Sequence, residues 1–445
     1  MKIFNGIRYS IHLLLCLIFL VVYCNIGINL TKDLVKSKNI SKIPRDVLSE
    51  YNYLKAILDA PDKKAKTTTD GLSNFMSSEW PIMTLSLGSY GMSNLAKKSP
   101  ALKNEVSLYI RKAIERAKKP EYYNFVVDHY GDPFHSKKIK DNAFYLGHFV
   151  LMLALYREVS GDNQYDELFH KFAHAFYQNF KQSPTFCLTS YAELTWTSEQ
   201  VVPFRALKIH DDIFGTNYRE VIYQWQDMME KHFMDSKAGL LITSLDNKTG
   251  QIFEGPRTIA NAWTILFLHD ILPDFCKKLY FNMKKELMVT RLGFPMFKEW
   301  AEEKQYATGD TGPILWDVSA VSTAFGIGSA AVMGDDLIFR ATRYLSSVLA
   351  MEVSYLDKSK YLVGGQIGTA AMFWIKSMEI VTDNPKQAIP LKSIIFLYFF
   401  LAIVILLNVW LFFSTLNRWK STIGRSCKIG KKGKESRLST DILTS

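Results

Sequence analysis

Apolar sequence takes two forms along this chain: one long run near each end, and shorter runs that recur between them. Residues 11–28 are almost wholly apolar, with His12 and Asn25 as polar members. Residues 394–413 are longer and cleaner, with Asn408 as their one strongly polar residue. About twenty apolar residues at ~1.5 Å each span a bilayer core, so both runs are expected to be transmembrane helices. The first could instead be a cleaved signal peptide. No A-x-A-like site follows it, which favours an uncleaved anchor.

Between the two runs a pattern repeats. Each unit has an apolar helix rich in Ala, Gly, Ser and aromatics, then a tight turn, then a more charged helix. The turns fall near Lys98, Gly161, Gly215, Leu272 and Gly334, at steps of 63, 54, 57 and 62 residues. A near-constant step with one helix pair per unit marks a helical array. The first helices, such as AFYLGHFVLMLALY and VSAVSTAFGIGSAAVM, lack a polar face, which predicts burial on all sides. The second helices, such as 218–232 and 341–353, carry a polar stripe and are expected outside. Five pairs occupy residues 80–353, and a sixth inner helix is predicted over 367–380. The early amphipathic helix at 46–60 is free to be its outer partner. That closes an all-α (α/α)6 barrel flanked by a transmembrane helix at each end; an open solenoid is the alternative. One small hairpin is expected around residues 246–250. The expected order is a short N-terminus (1–10), membrane helix (11–28), linker (29–42), barrel domain (43–385), membrane helix (391–414) and tail (415–445).

Charge adds an orientation. The chain carries a net +11, but eight Lys/Arg against Glu435 and Asp441 after Asn417 put +6 of it in the tail. The basic balance is therefore mainly a tail property and gives no nucleic-acid face. By the positive-inside rule the tail is cytoplasmic, where it can touch anionic headgroups of membrane lipids. The barrel between the spans then lies outside the cytoplasm, at a plasma or inner membrane. Lys2 and Arg8 before the first run, against Lys32, Lys36, Lys38 and Lys42 after it, argue mildly the other way; the denser tail decides. Five cysteines make no disulfide framework. Of these, Cys187 and Cys276 fall in the large domain, as a pair or as buried thiols. Asn39 and Asn247 each open an N-x-[ST] triplet.

In such a ring the inner helices begin at one face, and polar residues at their starts are the candidates for chemistry. These are Tyr90 in the first pair, Asn142, Tyr145 and His148 in the second, and Glu199 and Gln200 in the third. Arg257 and Trp263 belong to the fourth, Asp310 and Asp317 to the fifth, and Gln366 to the sixth. His148, Glu199 and Asp310 are the expected catalytic groups; Tyr90, Asn142, Tyr145, Trp263 and Gln200 are expected to line the substrate. Imidazole titrates near neutral pH and suits acid–base work, although a core histidine bonded to a neighbour fits the same pattern. A buried Glu199 must be paired or hold its proton, which suits proton transfer as well as compensation of a helix dipole. Asp310 lies between glycines in YATGDTGP, where capping is its bland role. There is no H-E-x-x-H, no C-x-x-C and no phosphate loop, so no metal and no cofactor is expected.

The stretches DNAFYLGHFVLMLALYREVSGDNQYD, IHDDIFGTNYREVIYQWQDMMEKHFMDSKAGLL and TIANAWTILFLHDILPDFCKKLY resemble the linalool dehydratase/isomerase domain family over residues 80–380. The resemblance implies an (α/α)6 barrel acting on small terpene alcohols without cofactor, removing or adding water and shifting a hydroxyl by acid–base catalysis. By position, His148 matches an active-site histidine, Asn142, Tyr145 and Trp263 match pocket-lining positions, and Tyr90 matches a tyrosine of the first inner helix. The chain also departs from the pattern. Two active-site cysteines of the family fall near Ser190 and Glu199 here. The Asp/Tyr pair before the first inner helix has no clear counterpart, Asp70 being the nearest. The expected partner is a small apolar or sugar-like substrate. A carbohydrate-active barrel using Glu199 and Asp310, or a non-catalytic envelope scaffold, are the alternatives.

Overall fold

The computed structural model describes residues 2–36, 43–61, 74–136, 141–190, 194–301, 310–312, 314–378 and 391–441. In chain order the helices begin with α1 (Lys2–Lys36), α2 (Arg45–Asp59), α3 (Asn74–Lys98), α4 (Lys103–Ala117) and α5 (Pro120–Tyr130). They continue with α6 (Tyr145–Ser160), α7 (Asp166–Gln182), α8 (Val201–Phe214), α9 (Glu220–His232) and α10 (Thr258–Leu268). The last five are α11 (Pro273–Leu287), α12 (Ala320–Val332), α13 (Asp336–Leu349), α14 (Gly365–Ser377) and α15 (Leu391–Asp441).

Helices α3, α6, α8, α10, α12 and α14 form an inner ring. Each packs against the next, and α14 packs back against α3. That last contact closes the ring and rules out the open solenoid. The inner helices are buried nearly all round: of α6, only Arg157, Glu158 and Ser160 escape full burial. Helices α4, α7, α9, α11 and α13 follow their inner partners on the outside. The sixth outer place goes to α2, which lies against α14 and α4 as expected. The tight turns fall at the expected places. Gly161 and Gly215 end α6 and α8 in the left-handed conformation at φ 73° and 70°, where a side chain is disfavoured. Asp211 then accepts from the backbone N–H of Tyr218 (2.8 Å) and Arg219 (2.7 Å), setting the start of α9.

Short strands are the part the helical periodicity does not show. β1 (Thr195–Trp196), β2 (Ile242–Leu245) and β3 (Ile252–Pro256) make one antiparallel sheet; only its β2–β3 hairpin was expected. Three further hairpins pair β4 (Met288–Arg291) with β5 (Phe294–Phe297), β6 (Ile314–Leu315) with β7 (Val318–Ser319), and β8 (Glu352–Tyr355) with β9 (Lys358–Tyr361). All of these strands lie in connections from an outer helix to the next inner helix. They therefore decorate the face where the inner helices begin, and strands of two to five residues are too short to show an alternating pattern.

Two helices are long and apolar enough to cross a membrane: Ile7–Lys32 within α1 and Leu391–Lys420 within α15. They pair antiparallel, with Thr31 Oγ1 and Tyr398 Oη 2.8 Å apart. α1 runs on to Lys36, into the stretch expected as a linker; nothing there before Pro44 breaks a helix. A second apolar core joins this pair to the barrel: Ile26, Leu30, Leu397 and Leu401 pack with Phe294, Met296, Val318, Leu345 and Val348. Cys187 and Cys276 are buried free thiols. Asn247 is buried, its amide donating to Cys187 O at 3.2 Å, so the Asn247 glycosylation triplet has no accessible acceptor. Asn39, Asp70 and the side chains after Lys420 lie outside the described residues.

Candidate active site

The strand-bearing face gathers a set of charged side chains around Arg257. The residue caps the N-terminus of α10, directly after β3. The segment 298–300 is laid beside it: Thr258 donates its N–H to Glu299 O (2.8 Å) and its hydroxyl to Lys298 O (2.5 Å), and Arg257 bridges to Trp300. Fully buried, the Arg257 guanidinium donates through Nε to Glu299 Oε1 at 2.5 Å. One of its terminal nitrogens is 3.5 Å from Glu254 Oε2 and 4.0 Å from Asp310 Oδ2. Its flat faces lie over the rings of Trp196 and Trp300, at 5.2 and 5.5 Å from the centroids. Ser322, in the first turn of α12, donates to the second oxygen of Glu299.

Glu199 occupies a short 3-10 turn (Thr197–Gln200) that leads from β1 into α8. Its carboxyl is buried, and Oε2 has no hydrogen-bond partner among the described residues. Burial pushes this carboxyl up to about 8, and the negative charge of Asp310 pushes the same way. Asp310 is partly exposed. Burial raises it, Arg257 pulls it back down, and Glu254 raises it again. Glu299 is pushed up to about 7 by burial, against the opposing pull of Arg257. The structure thus brings Glu199 and Asp310 within electrostatic reach of each other, with one fixed cation beside Asp310. Among the described residues no three His, Cys, Asp or Glu side chains are grouped to hold a metal ion.

His148 belongs to a second, deeper group. It sits one turn into α6, next to Gly147, whose Cα is so close to α8 that an added Cβ would lie 2.9 Å from Pro203 Cδ. Nδ1 shares a hydrogen bond of 2.9 Å with Ser86 Oγ of α3, and Nε2 is buried without a hydrogen-bond partner among the described residues. The ring meets Phe144 at 5.2 Å and Trp263 at 6.2 Å, both edge-on. Burial alone lowers its pKa to about 3. Burial thus favours the neutral imidazole. No hydrogen bond joins it to Glu199. Trp263 continues inward to Phe267 (5.2 Å), Phe325 (5.0 Å) and Trp374 (5.7 Å). Tyr90 stacks on Trp374 at 5.3 Å, at the inner end of this aromatic column.

The remaining expected residues point elsewhere. Gln200 is spent on backbone: its oxygen accepts from Leu188 N (2.7 Å), and its amide donates to Leu188 O (2.9 Å) and Trp196 O (2.8 Å). Tyr145 reaches outward, donating to Ala117 O of α4 at 2.7 Å and stacking on Phe149. In both, the polar atoms expected to face a substrate are bonded to buried backbone. Asn142 accepts from Tyr145 N at 3.0 Å, and its Nδ2 is buried without a hydrogen-bond partner among the described residues. Ser190, near one expected cysteine position, accepts from Trp196 N at 3.1 Å. The Cys187 thiol is pushed up to about 12 by burial, so it is no thiolate nucleophile. Asp317 lies apart, in the β6–β7 turn, 3.7 Å from Arg291.

Sequence reasoning missed Glu254, Glu299, Trp196 and Trp300. Arg257 was visible as a polar residue at an inner-helix start. Glu299 lies between two hairpins, 21 residues before the start of α12, and carried no local signal.

Residues 169–347 match the family model of linalool dehydratase/isomerase. The matched stretch runs from α7 into α13 and contains Glu199, Glu254, Arg257, Glu299 and Asp310; His148, Asn142 and Tyr90 lie before it. Among solved structures, a possible member of glycoside hydrolase family 105 from Klebsiella pneumoniae is similar at 12% identity and TM-score 0.48, over 75% of this chain and 92% of that one. An α-mannanase of glycoside hydrolase family 76 from Bacteroides thetaiotaomicron gives 11% and 0.47, over 74% and 95%. An unsaturated glucuronyl hydrolase specific for heparin gives 10% and 0.47, over 75% and 95%. The assignment of the ring rests on the helix contacts described above.

Proposed function

We propose that the chain is a linalool dehydratase/isomerase-like enzyme, a cofactor-independent acid–base hydro-lyase or isomerase acting on a small, largely apolar alcohol. The observation that carries this reading is Glu199: a buried carboxyl that holds its proton near neutral pH, its Oε2 without a hydrogen-bond partner among the described residues, beside Asp310, which burial raises and Arg257 pulls back down. A carboxyl that holds its proton, beside a second carboxyl in contact with a fixed cation, supplies the acid and the base that such a reaction needs. Glu199 gives its proton to the substrate hydroxyl, the C–O bond breaks and its electron pair leaves with water. Asp310 takes a proton from the neighbouring carbon, and that C–H pair becomes the new double bond. Return of the proton from Asp310 to Glu199 restores the enzyme, and readdition of water at another carbon shifts the hydroxyl. His148, neutral and with a buried Nε2 that no described residue binds, is a hydrogen-bonding contact for the substrate at the head of the aromatic column, with Tyr90 and Trp263 as its walls.

The domain of residues 43–385 is held by α1 and α15 as membrane anchors, outside the cytoplasm, with the basic tail inside; the tail charge supports that orientation. The carbohydrate alternative is less well supported, because the rings at this mouth that could stack on a sugar, Trp196 and Trp300, are already stacked on Arg257. Purified full-length protein is incubated with primary and tertiary allylic terpene alcohols and, in parallel, with oligosaccharides. Loss of water or a shifted hydroxyl is expected on the alcohols, falling by about 10²-fold or more in Glu199→Gln. Turnover of oligosaccharides alone, or an unimpaired Glu199→Gln, overturns the reading.

A further inference from the structure

Three hairpins present large apolar residues at their turns, where apolar residues are conformationally costly. Leu292, Trp316 and Leu356 all take positive φ, at 50°, 50° and 55°. Tight hairpin turns normally give such positions to Gly, Asn or Asp, because a bulky side chain there is strained. The residues are also open to solvent: Trp316 is 67% exposed, and Tyr355 and Leu356 are 78% and 81% exposed. Neither packing inside the barrel nor turn chemistry accounts for them.

Their position relative to the membrane helices does. Gly293, in the β4–β5 turn beside Leu292, lies on Phe396 of α15, so close that an added Cβ would be 3.4 Å from its ring. The β6–β7 turn is tied to the same place: Arg291 Nε donates to Trp316 O at 3.3 Å. The β8–β9 hairpin is tied to α1. Asn25 donates to Ser354 O and accepts from Ser354 N, both at 2.9 Å, so this polar residue of an apolar span is matched to a strand edge. Asn25 lies six residues before Thr31, which pairs with Tyr398 near the barrel end of the two spans. At 1.5 Å per residue that is about 9 Å along the helix from the Thr31 contact, within the apolar run of residues 11–28. Tyr355 and Leu356 follow directly. The polar member of that turn, Asp357, is turned back toward the barrel, where Asn52 of α2 donates to its carboxylate at 3.1 Å.

We infer that the β4–β5, β6–β7 and β8–β9 turns form an apolar collar that enters the lipid leaflet on the barrel side of the membrane, with Leu292, Leu315, Trp316, Tyr355 and Leu356 as its lipid contacts. The occupant of this surface is bilayer lipid, because the collar is continuous with the faces of α1 and α15 that lipid covers. The inference rests on the reading of those helices as membrane spans. It places the β5–β7 wall, which leads through Lys298 to Glu299, at the bilayer border.

The test uses the full chain in phosphatidylcholine nanodiscs, with the photo-crosslinking residue p-benzoylphenylalanine introduced singly in place of Trp316, Leu356, Leu406 and Tyr223. Leu406 is 65% exposed on α15 and reports the span itself; Tyr223, 49% exposed on α9 across the ring, is the control away from the collar. Lipid adducts read by mass spectrometry are expected at Trp316 and Leu356 at a yield near that of Leu406, and at least ten times that of Tyr223. Adducts at Leu406 with none at Trp316 and Leu356 overturn the collar and leave the membrane anchor standing. No adduct at Leu406 overturns the anchor and the collar with it. The replaced positions are exposed, and an unchanged melting temperature for each variant confirms the fold.

Discussion

Lys376 is fully buried near the end of α14, with its ammonium 2.7 Å from Glu50 Oε1, 3.0 Å from Glu352 Oε2 and 3.3 Å from Asp46 Oδ2. Glu50 and Asp46 come from α2, so this one lysine joins the last inner helix to the outer helix that opens the barrel. Arg343 also binds Asp46, while Tyr361 and Ser347 donate to Glu352 at 3.0 and 2.6 Å. Three carboxylates thus face two cations. The excess falls on Glu50, which burial, together with Glu352 and Asp46, pushes up to about 8. In Lys376→Met, Asp46 and Glu352 keep partners and Glu50 keeps none that is described. Breaking a buried ion pair from one side costs about 3–5 kcal/mol. At roughly 2 °C per kcal/mol for a domain of this size, melting should fall by about 6–10 °C. The sign with pH follows from Glu50. A carboxyl raised in the folded state contributes stability that is full below its unfolded value and lost as pH rises through the folded one. Without the lysine, Glu50 is raised further, so the gap to wild type should widen from pH 6 to pH 9. Adding Glu50→Gln should recover part of the pH 9 loss. Tryptophan fluorescence melts of the detergent-solubilised chain read all three. A Lys376→Met protein that melts with wild type, or a gap that does not widen with pH, refutes the argument.

Activity on an allylic alcohol should decline as pH rises through about 8, where Glu199 loses its proton; Asp310→Asn should lower the rate by removing the base and move the limb of the residual activity to lower pH by removing the like charge, and a residual pH–rate profile with an unmoved limb would falsify the pairing of these two groups. Gly91→Ala should destabilise by about 1–3 kcal/mol, because the new Cβ would sit 2.5 Å from the Phe373 ring and 3.2 Å from the Trp374 backbone, whereas Gly255→Ala meets nothing within 4 Å and should leave melting unchanged. When the chain is made in a eukaryotic secretory pathway, Asn247 should stay unglycosylated, read as no mobility shift on glycosidase treatment of a variant with both Asn29→Gln and Asn39→Gln, which removes the other two N-x-[ST] triplets, since its amide is buried against Cys187.

What the sequence determined by itself was everything that depends on local period. Apolar runs of helical length, glycine stops and a step near sixty residues specified the helix pairs, their inner and outer places and the two membrane-length helices. Local chemistry also marked Glu199, Arg257, Asp310 and His148 as residues at inner-helix starts. Tertiary structure alone decided which of these meet. Arg257 gathers Glu254, Glu299 and Asp310 because a strand end, a chain segment and a loop converge on one helix N-terminus, and such convergence leaves no periodic trace. Side-chain direction was equally invisible: Gln200 and Tyr145 occupy the expected positions but spend their polar atoms on buried backbone. The charge state of His148 followed from burial at the ring's axis, a property of all six helices together. The same holds for the Lys376 cluster, whose partners lie 326 residues apart, and for three strained apolar turns whose meaning appears only where they stand beside the membrane helices.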